Sequence, residues 1–415
     1  MMKRYMWPFG SVSKLLAFAL LGSLFALASV PAAWGAEIEW LRQFGSPNGD
    51  SAYAVDADDN VYVAGLASGA LPGQPSAGTN DAFVRKYDAA GNELWTRQFG
   101  SSSSDDARGI AVDGASVYVV GYTVGILPGQ TAPGGGDTFV RKYDAAGNEL
   151  WTRQFGTTTS DIAGGVAVDA SGVYVAGLTS GTLPGQRSVG GWDGFVRKYD
   201  ADGNEVWTRQ FGTNQLDEVR AASADATGIY VAGYTVGSFS SAPNAGGRDA
   251  FVIKYDMSGN VLWVRQFGGI LSDEAVGVSA TDDGFYVAMT TRGNVAPNVS
   301  VQKYDANGVQ LWTSQFSAEA RGVAADASGV YVAGLTSATL PGQSSAGGRD
   351  AFVRKYDAGG SAVWTRQFGT TWDDEANGVS AAPSGVYVVG KTVGTFPAQP
   401  PARSADGFVA KFGTP

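Results

Sequence analysis

Thirty-nine carboxylates and not one histidine or cysteine set the limits of what this chain can do chemically. Without those two residue types there is no Ser–His or Cys–His nucleophile, no thiolate, and no side chain that titrates near neutrality in its unperturbed state. Acid–base work would fall to pairs of Asp and Glu, as in glycoside hydrolysis, and metal binding to carboxylate oxygens. The acids form two recurring sets. One is the Asp of GxDxF, at Asp81, Asp137, Asp193, Asp249, Asp350 and Asp406. The other comprises Asp105, Asp106, Asp161, Asp217, Glu218, Asp273, Glu274, Glu319, Asp373, Asp374 and Glu375. A short carboxylate ahead of a strand accepts bonds from loop amides, so the first set reads as structural. The second set reads as solvated loop carboxylates; a ring of them could also hold Ca²⁺, which takes several oxygen ligands. The spacing is not that of a recognised Ca²⁺ loop, and no cofactor is expected. No two acids stand out as a catalytic pair, and GGG at Gly134–Gly136 lacks the Lys and helix of a phosphate loop. The chain therefore reads as non-catalytic.

Three residues interrupt the regularity and are candidates for ligand contact. Trp192 and Trp372 are the tryptophans that belong neither to the N-terminal segment nor to the recurring signature, and Arg292 sits in a shortened copy. Loop aromatics stack on sugars or anchor protein partners. The plain reading is that each ring folds over its own rim.

These residues hang on a repeat. WLRQFG begins at Trp40, WTRQFG at Trp95, Trp151, Trp207 and Trp364, WVRQFG at Trp263 and WTSQF at Trp312, with spacings of 55, 56, 56, 56, 49 and 52 residues. Each period holds four short runs rich in Val, Ile, Tyr, Phe, Trp and Thr, joined by Gly, Asp, Asn and Ser. In the second copy these are Gly109–Asp113, Ser116–Gly121, Thr138–Asp144 and Glu149–Phe155. Inner strands are expected to start near Ala52, Gly109, Gly165, Ala221, Val276, Gly322 and Gly378. Four antiparallel strands repeated seven times predict an all-β, seven-bladed β-propeller. The mature chain opens on a Trp strand (Ile38–Phe44) and closes on a lysine strand (Gly407–Gly413), so the N-terminal strand is expected to complete the last blade and remove a free edge. The Trp and Phe of WxxQF, on one strand face, pack blade on blade. The seven-fold Lys, from Lys86 to Lys411, is expected to pair with carboxylates, the alternative being that it snorkels outward.

Lys3, Arg4 and Lys14, an apolar run from Leu15 to Val30, and Ala33 and Gly35 ahead of Ala36 have the form of a secretory signal peptide over 1–36. The propeller domain is 37–415. Less the leader's three cations, 26 of the 29 basic residues face 39 acids, a formal −13. That disfavours nucleic acid and anionic lipid, and no membrane insertion is expected after the leader is removed. The protein is expected to be secreted or periplasmic, and possible at the cell surface.

GVAVDASGVYVAG (Gly165–Gly177) followed by GGxDxFVxKYDAxGNExWTRQFG, clean from Gly190 to Gly212, resembles the bacterial seven-bladed β-propeller repeat (SBBP-type). The resemblance covers Glu37–Pro415. It implies a propeller in a secreted or surface protein and no established reaction. A weaker likeness is to NHL repeats, which form six blades and lack the Trp–Arg–Gln–Phe strand. The fifth copy departs from the pattern: between Met289 and Asn298 it lacks LPGQ and GGxD, with Asn298 for Asp and Ser300 for Phe. The function expected is a binding or scaffold module for a protein or cell-surface glycan on the long-loop face. A carboxylate-dependent polysaccharide hydrolase or lyase and a structural surface protein are the alternatives.

Overall fold

The computed structural model describes residues 37–239, 243–293, 296–402 and 404–413; the stretch 1–36, expected from sequence to be a signal peptide, lies outside them. Twenty-eight strands form seven four-stranded antiparallel sheets, with no helix among the described residues. Blade 1 runs over β2 (Asp50–Ala57), β3 (Asn60–Ala67), β4 (Asp81–Asp88) and β5 (Glu93–Phe99). Blades 2 to 6 repeat this order over 105–155, 161–211, 217–267, 272–317 and 319–368. Blade 7 combines three strands over 374–412 with β1 (Ile38–Phe44), which pairs antiparallel with β28 (Asp406–Phe412), Leu41 opposite Ala410. Seven blades and a last blade shared by both termini match the sequence-based expectation.

The core is a set of layers between blades. Tyr62, Ala64 and Val84 of blade 1 pack on Ala107, Ile110 and Phe139 of blade 2, and the same layer recurs around the ring. The signature clamps each blade to the next at one face. Trp151 Nε1 donates to Ala201 O at 3.0 Å, and Arg153 Nε to Gly203 O at 2.7 Å. These carbonyls belong to the Asp-Ala-x-Gly-Asn turn between the third and fourth strands. Gly203 has φ 78°, a conformation that favours glycine, and Asp200 accepts from the Asp202 and Asn204 amides.

The recurring Lys lies between Tyr of the second strand and Trp of the fourth, as with Tyr174, Lys198 and Trp207. Its ammonium stands over the Tyr ring, 4.9 Å away for Lys198. Carboxylate pairing holds for Lys303 with Asp283 and Lys411 with Glu39. Elsewhere the expectation fails: Lys86 and Lys142 donate to turn carbonyls of the next blade, and Lys198 and Lys254 to Ser171 and Thr227 hydroxyls. The ammonium reaches a neutral acceptor at the blade boundary, so no buried anion is needed.

Candidate functional site

The two acidic sets separate cleanly. The Asp of GxDxF is a scaffold group, as expected. Asp81 accepts from the Ala77 and Gly78 amides and from Gln98 Nε2 at 2.8 Å. Gln98 in turn accepts from the Leu71 amide, which fastens the LPGQ loop to the outer strand. The second set is not uniformly solvated. Its first strand begins at the acid itself, several residues earlier than expected, and side chains alternate along it. Asp105, Asp161, Asp217 and Asp374 are fully buried and bind the amide and hydroxyl of the Ser or Thr four residues back; Thr157 N to Asp161 is 2.6 Å. Asp106, Glu218 and Glu375 beside them, together with Glu274 and Glu319, enter the ion pairs that edge the channel. Each buried Asp lies beside an Asp of the first set, with only a glycine between: a Cβ on Gly100 would sit 2.6 Å from oxygens of both Asp81 and Asp105. Burial pushes these inner Asp carboxyls up, and for Asp105 the charge of Asp81 adds to the rise.

A β-bulge recurs in every first strand. The register slips at Tyr53, Arg108, Gly164, Arg220, Val276, Arg321 and Asn377. A bulge leaves its extra residue unpaired and re-aims it. These seven positions lie where the channel opens onto the long-loop face. Below them Val55, Ile110, Val166, Ala222, Val278, Val323 and Val379 line the wall, followed by Asp56 among Ala and Ser.

Charges fill the mouth. Arg108 pairs with Asp106 at 2.9 Å. Arg220 bridges Glu218 at 2.9 Å and Glu274 at 3.0 Å, and Tyr234 donates to Glu218 at 2.6 Å. Glu274, 1% exposed, also takes Arg248 and Arg292. Arg292 continues to Glu319 at 2.7 Å, which Arg321 meets at 2.8 Å. Arg349 joins Asp373 and Glu375. Burial raises the Glu274 carboxyl, but Arg220, Arg248 and Arg292 outweigh it and hold it below its ordinary value. A cavity of about 660 Å³ spans the ring from Arg108 to Arg321, with Tyr53, Glu375, Asn377 and Lys391 in its wall.

Of the three residues singled out by sequence, Arg292 lies in this network. Trp192 and Trp372 do not meet: Trp192 O accepts the Asp217 amide at the boundary of blades 3 and 4, whereas Trp372 is 64% exposed at the boundary of blades 6 and 7. Sequence reasoning missed Tyr53, Arg108, Arg220, Arg321 and Asn377. Their signal was available, since this column varies between Tyr, Arg, Gly, Val and Asn in a repeat that otherwise holds its residues. Among the described residues no three carboxylates are grouped to hold a metal ion.

Blades of one topology around an open channel define a repeat-built β-propeller. The model of the SBBP beta-propeller repeat matches residues 94–128, from the end of blade 1 through the first two strands of blade 2. Regulatory protein FlaEY of Caulobacter vibrioides is 28% identical over 389 residues, covering 86% of this chain and 38% of that protein. The uncharacterized WD repeat-containing protein L264 of Acanthamoeba polyphaga mimivirus is 28% identical over 170 residues, 34% of this chain and 12% of its own. The chain thus spans well under half the length of these relatives. Among solved structures, the WD40 propeller domain of Doa1 superposes with a TM-score of 0.51 at 10% identity, over 90% of this chain and 96% of that one. Drosophila Plexin A in complex with Semaphorin 1b gives 0.50 at 8% identity, over 92% and 88%. At such identities the likeness is one of fold.

Proposed function

We propose that the protein is a secreted, non-catalytic binding and scaffold module, and that a protein partner docks on the channel mouth of the long-loop face. One observation carries the reading. The residues that build the blades repeat from copy to copy, while the bulged column at the mouth changes at nearly every blade, from Tyr53 to Asn377. A scaffold held constant beneath a variable surface is the arrangement expected of recognition. Arginine and tyrosine, the residues favoured at protein interfaces, occur four times among the seven bulges. Asp106, Glu218, Glu274, Glu319 and Glu375 around the mouth are all engaged by arginines, which leaves none of these five poised as a general acid. FlaEY is a regulatory protein by name, and the Plexin A structure is a complex with Semaphorin 1b; both are consistent with a role in association.

The test is site-specific photo-cross-linking from positions 53 and 377 in the native host, with the adduct identified by mass spectrometry. A defined protein adduct that disappears with Arg108→Ala and Lys391→Ala together supports the reading. A folded protein that gives no adduct, alongside hits on a glycan array, would replace the protein partner with a carbohydrate.

A further inference from the structure

The fifth blade breaks the rim of the mouth. In blade 3 the second strand ends at Thr179 and the third begins at Asp193; in blade 5 the corresponding strands end at Arg292 and begin at Asn298. With the long loop gone, the neighbouring connector stands clear. Ile270 is 87% exposed, the most exposed large apolar side chain of the described chain, and Leu271 beside it is 37% exposed. Leu271 lies against the shortened loop, since a Cβ on Gly293 would come within 2.7 Å of its Cδ2. Ile270 flanks Gly246 of the adjoining loop, two residues from Arg248.

Arg292 precedes Gly293, and Arg248 stands two residues from Gly246; Arg321 joins them through Glu319. Arg248, Arg292 and Arg321 keep 42%, 33% and 39% of their side-chain surface exposed while bound to Glu274 and Glu319. Counting Arg220 and Glu218, the ion pairs of the arc hold four cations against three anions, while Asp273, 6% exposed, lies beneath them on the Gly269 amide and the Thr291 hydroxyl. A local cationic surplus in a chain of strongly acidic charge selects for anions and steers them in. An exposed Ile beside it offers a contact that a simple anion cannot use.

We infer that the notch at blade 5 is the docking point for an acidic protein segment carrying one large apolar side chain: its carboxylates meet Arg248, Arg292 and Arg321, and its apolar residue covers Ile270 and Leu271. This rests on the reading of the long-loop face as a recognition surface, and specifies the chemistry of the partner there.

Fluorescence anisotropy with labelled decapeptides tests it on the whole mature protein. The probes carry four glutamates around one phenylalanine, the same with serine for phenylalanine, and the same with lysines for glutamates. The first is expected to bind, the serine peptide at least about tenfold more weakly, and the lysine peptide not at all; added salt should weaken binding by screening the arginines. Ile270→Asp, at a position too exposed to disturb the fold, should cost about tenfold or more. Equal binding of the lysine peptide, or unchanged binding to the Ile270→Asp variant, overturns the inference. So does silence from all three peptides, while a cross-linked partner at positions 53 or 377 would leave the broader reading standing. Self-association abolished by Ile270→Asp would make the occupant a second copy and overturn the acidic segment.

Discussion

Gln43 and Asp406, 363 residues apart in sequence, are joined by a buried hydrogen bond of 2.9 Å from Nε2 to Oδ2. The bond is the same Gln-to-Asp contact that every other blade except the fifth makes within a single stretch of chain, such as Gln210 to Asp193. In blade 7 it ties one end of the chain to the other. Gln43 also donates to Gly394 O and accepts from the Phe396 amide, so β1 carries the whole clamp. Removing 37–44 takes away this clamp and leaves β28 as an open edge with Phe408 and Phe412 uncovered. The truncated protein is expected to melt at least about 10 °C lower and to aggregate, taking the loss as a few kcal/mol. Unchanged thermal unfolding would refute the shared blade.

The seam has a cost elsewhere. Trp364 is the blade 6 member of the clamping series, and its Nε1 has no partner among the described residues. In the other blades the acceptor is a carbonyl in the next blade's third turn, as for Trp151 and Ala201. In blade 7 the third and fourth strands are β28 and β1, from opposite ends of the described residues, so no single turn of described residues joins them. A buried donor left unpaired costs about 1–3 kcal/mol. Trp364→Phe removes it and should stay within about 1 kcal/mol of the parent protein, whereas Trp151→Phe loses a bonded donor and should cost about 2 kcal/mol. Urea unfolding of both variants checks the difference, and equal losses would count against the account.

Ala398 marks a second compromise in blade 7. Its φ is 61°, while the matching residues Gly73, Gly129, Gly185 and Gly342 lie at 70–75°. An alanine held there pays about 1–2 kcal/mol of steric cost, partly offset by the entropy that glycine loses on folding. Ala398→Gly is expected to stabilise by about 0.5–1 kcal/mol. The same change at an ordinary loop alanine should destabilise, which supplies the control in a thermal melt.

The fold could be read from the chain because its cause is repeated seven times. The Trp period, four β-rich runs per copy and the offset of the two termini each constrain the ring independently. The mouth was harder to read. A bulge adds one residue to a strand without a residue type of its own, so only the variability of their column sets Arg108, Arg220 and Arg321 apart from ordinary solvent-side positions. The partners of Glu274 come from residues 220, 248 and 292 on three blades, a convergence that follows only from the curvature of the ring.

Asp56 supplies a pH dependence with a definite sign. It is the acid in a ring of channel residues that is otherwise Ala111, Ala167, Ser223, Ser279, Ala324 and Ser380. Burial pushes its carboxyl up to about 6, as it does for Asp50. A native carboxyl that holds its proton more tightly than the unfolded one stabilises fully below the unfolded value of 3.8 and loses that contribution as pH rises through about 6. Glu274, held low by its arginines, acts the other way but only below its ordinary range, outside this window. The melting temperature is therefore expected to rise by several degrees between pH 7.5 and pH 5. Asp56 accepts the Val112 amide at 2.9 Å, and Ser223 accepts the Ala280 amide in the same way at 2.9 Å. Asp56→Ser thus keeps the inter-blade bond and discards the half-buried charge. It should raise the melting temperature at pH 7.5 and flatten the gain on acidification. A lower melting temperature at pH 7.5 would mean that the charge is itself a stabilising partner, and would sink the argument.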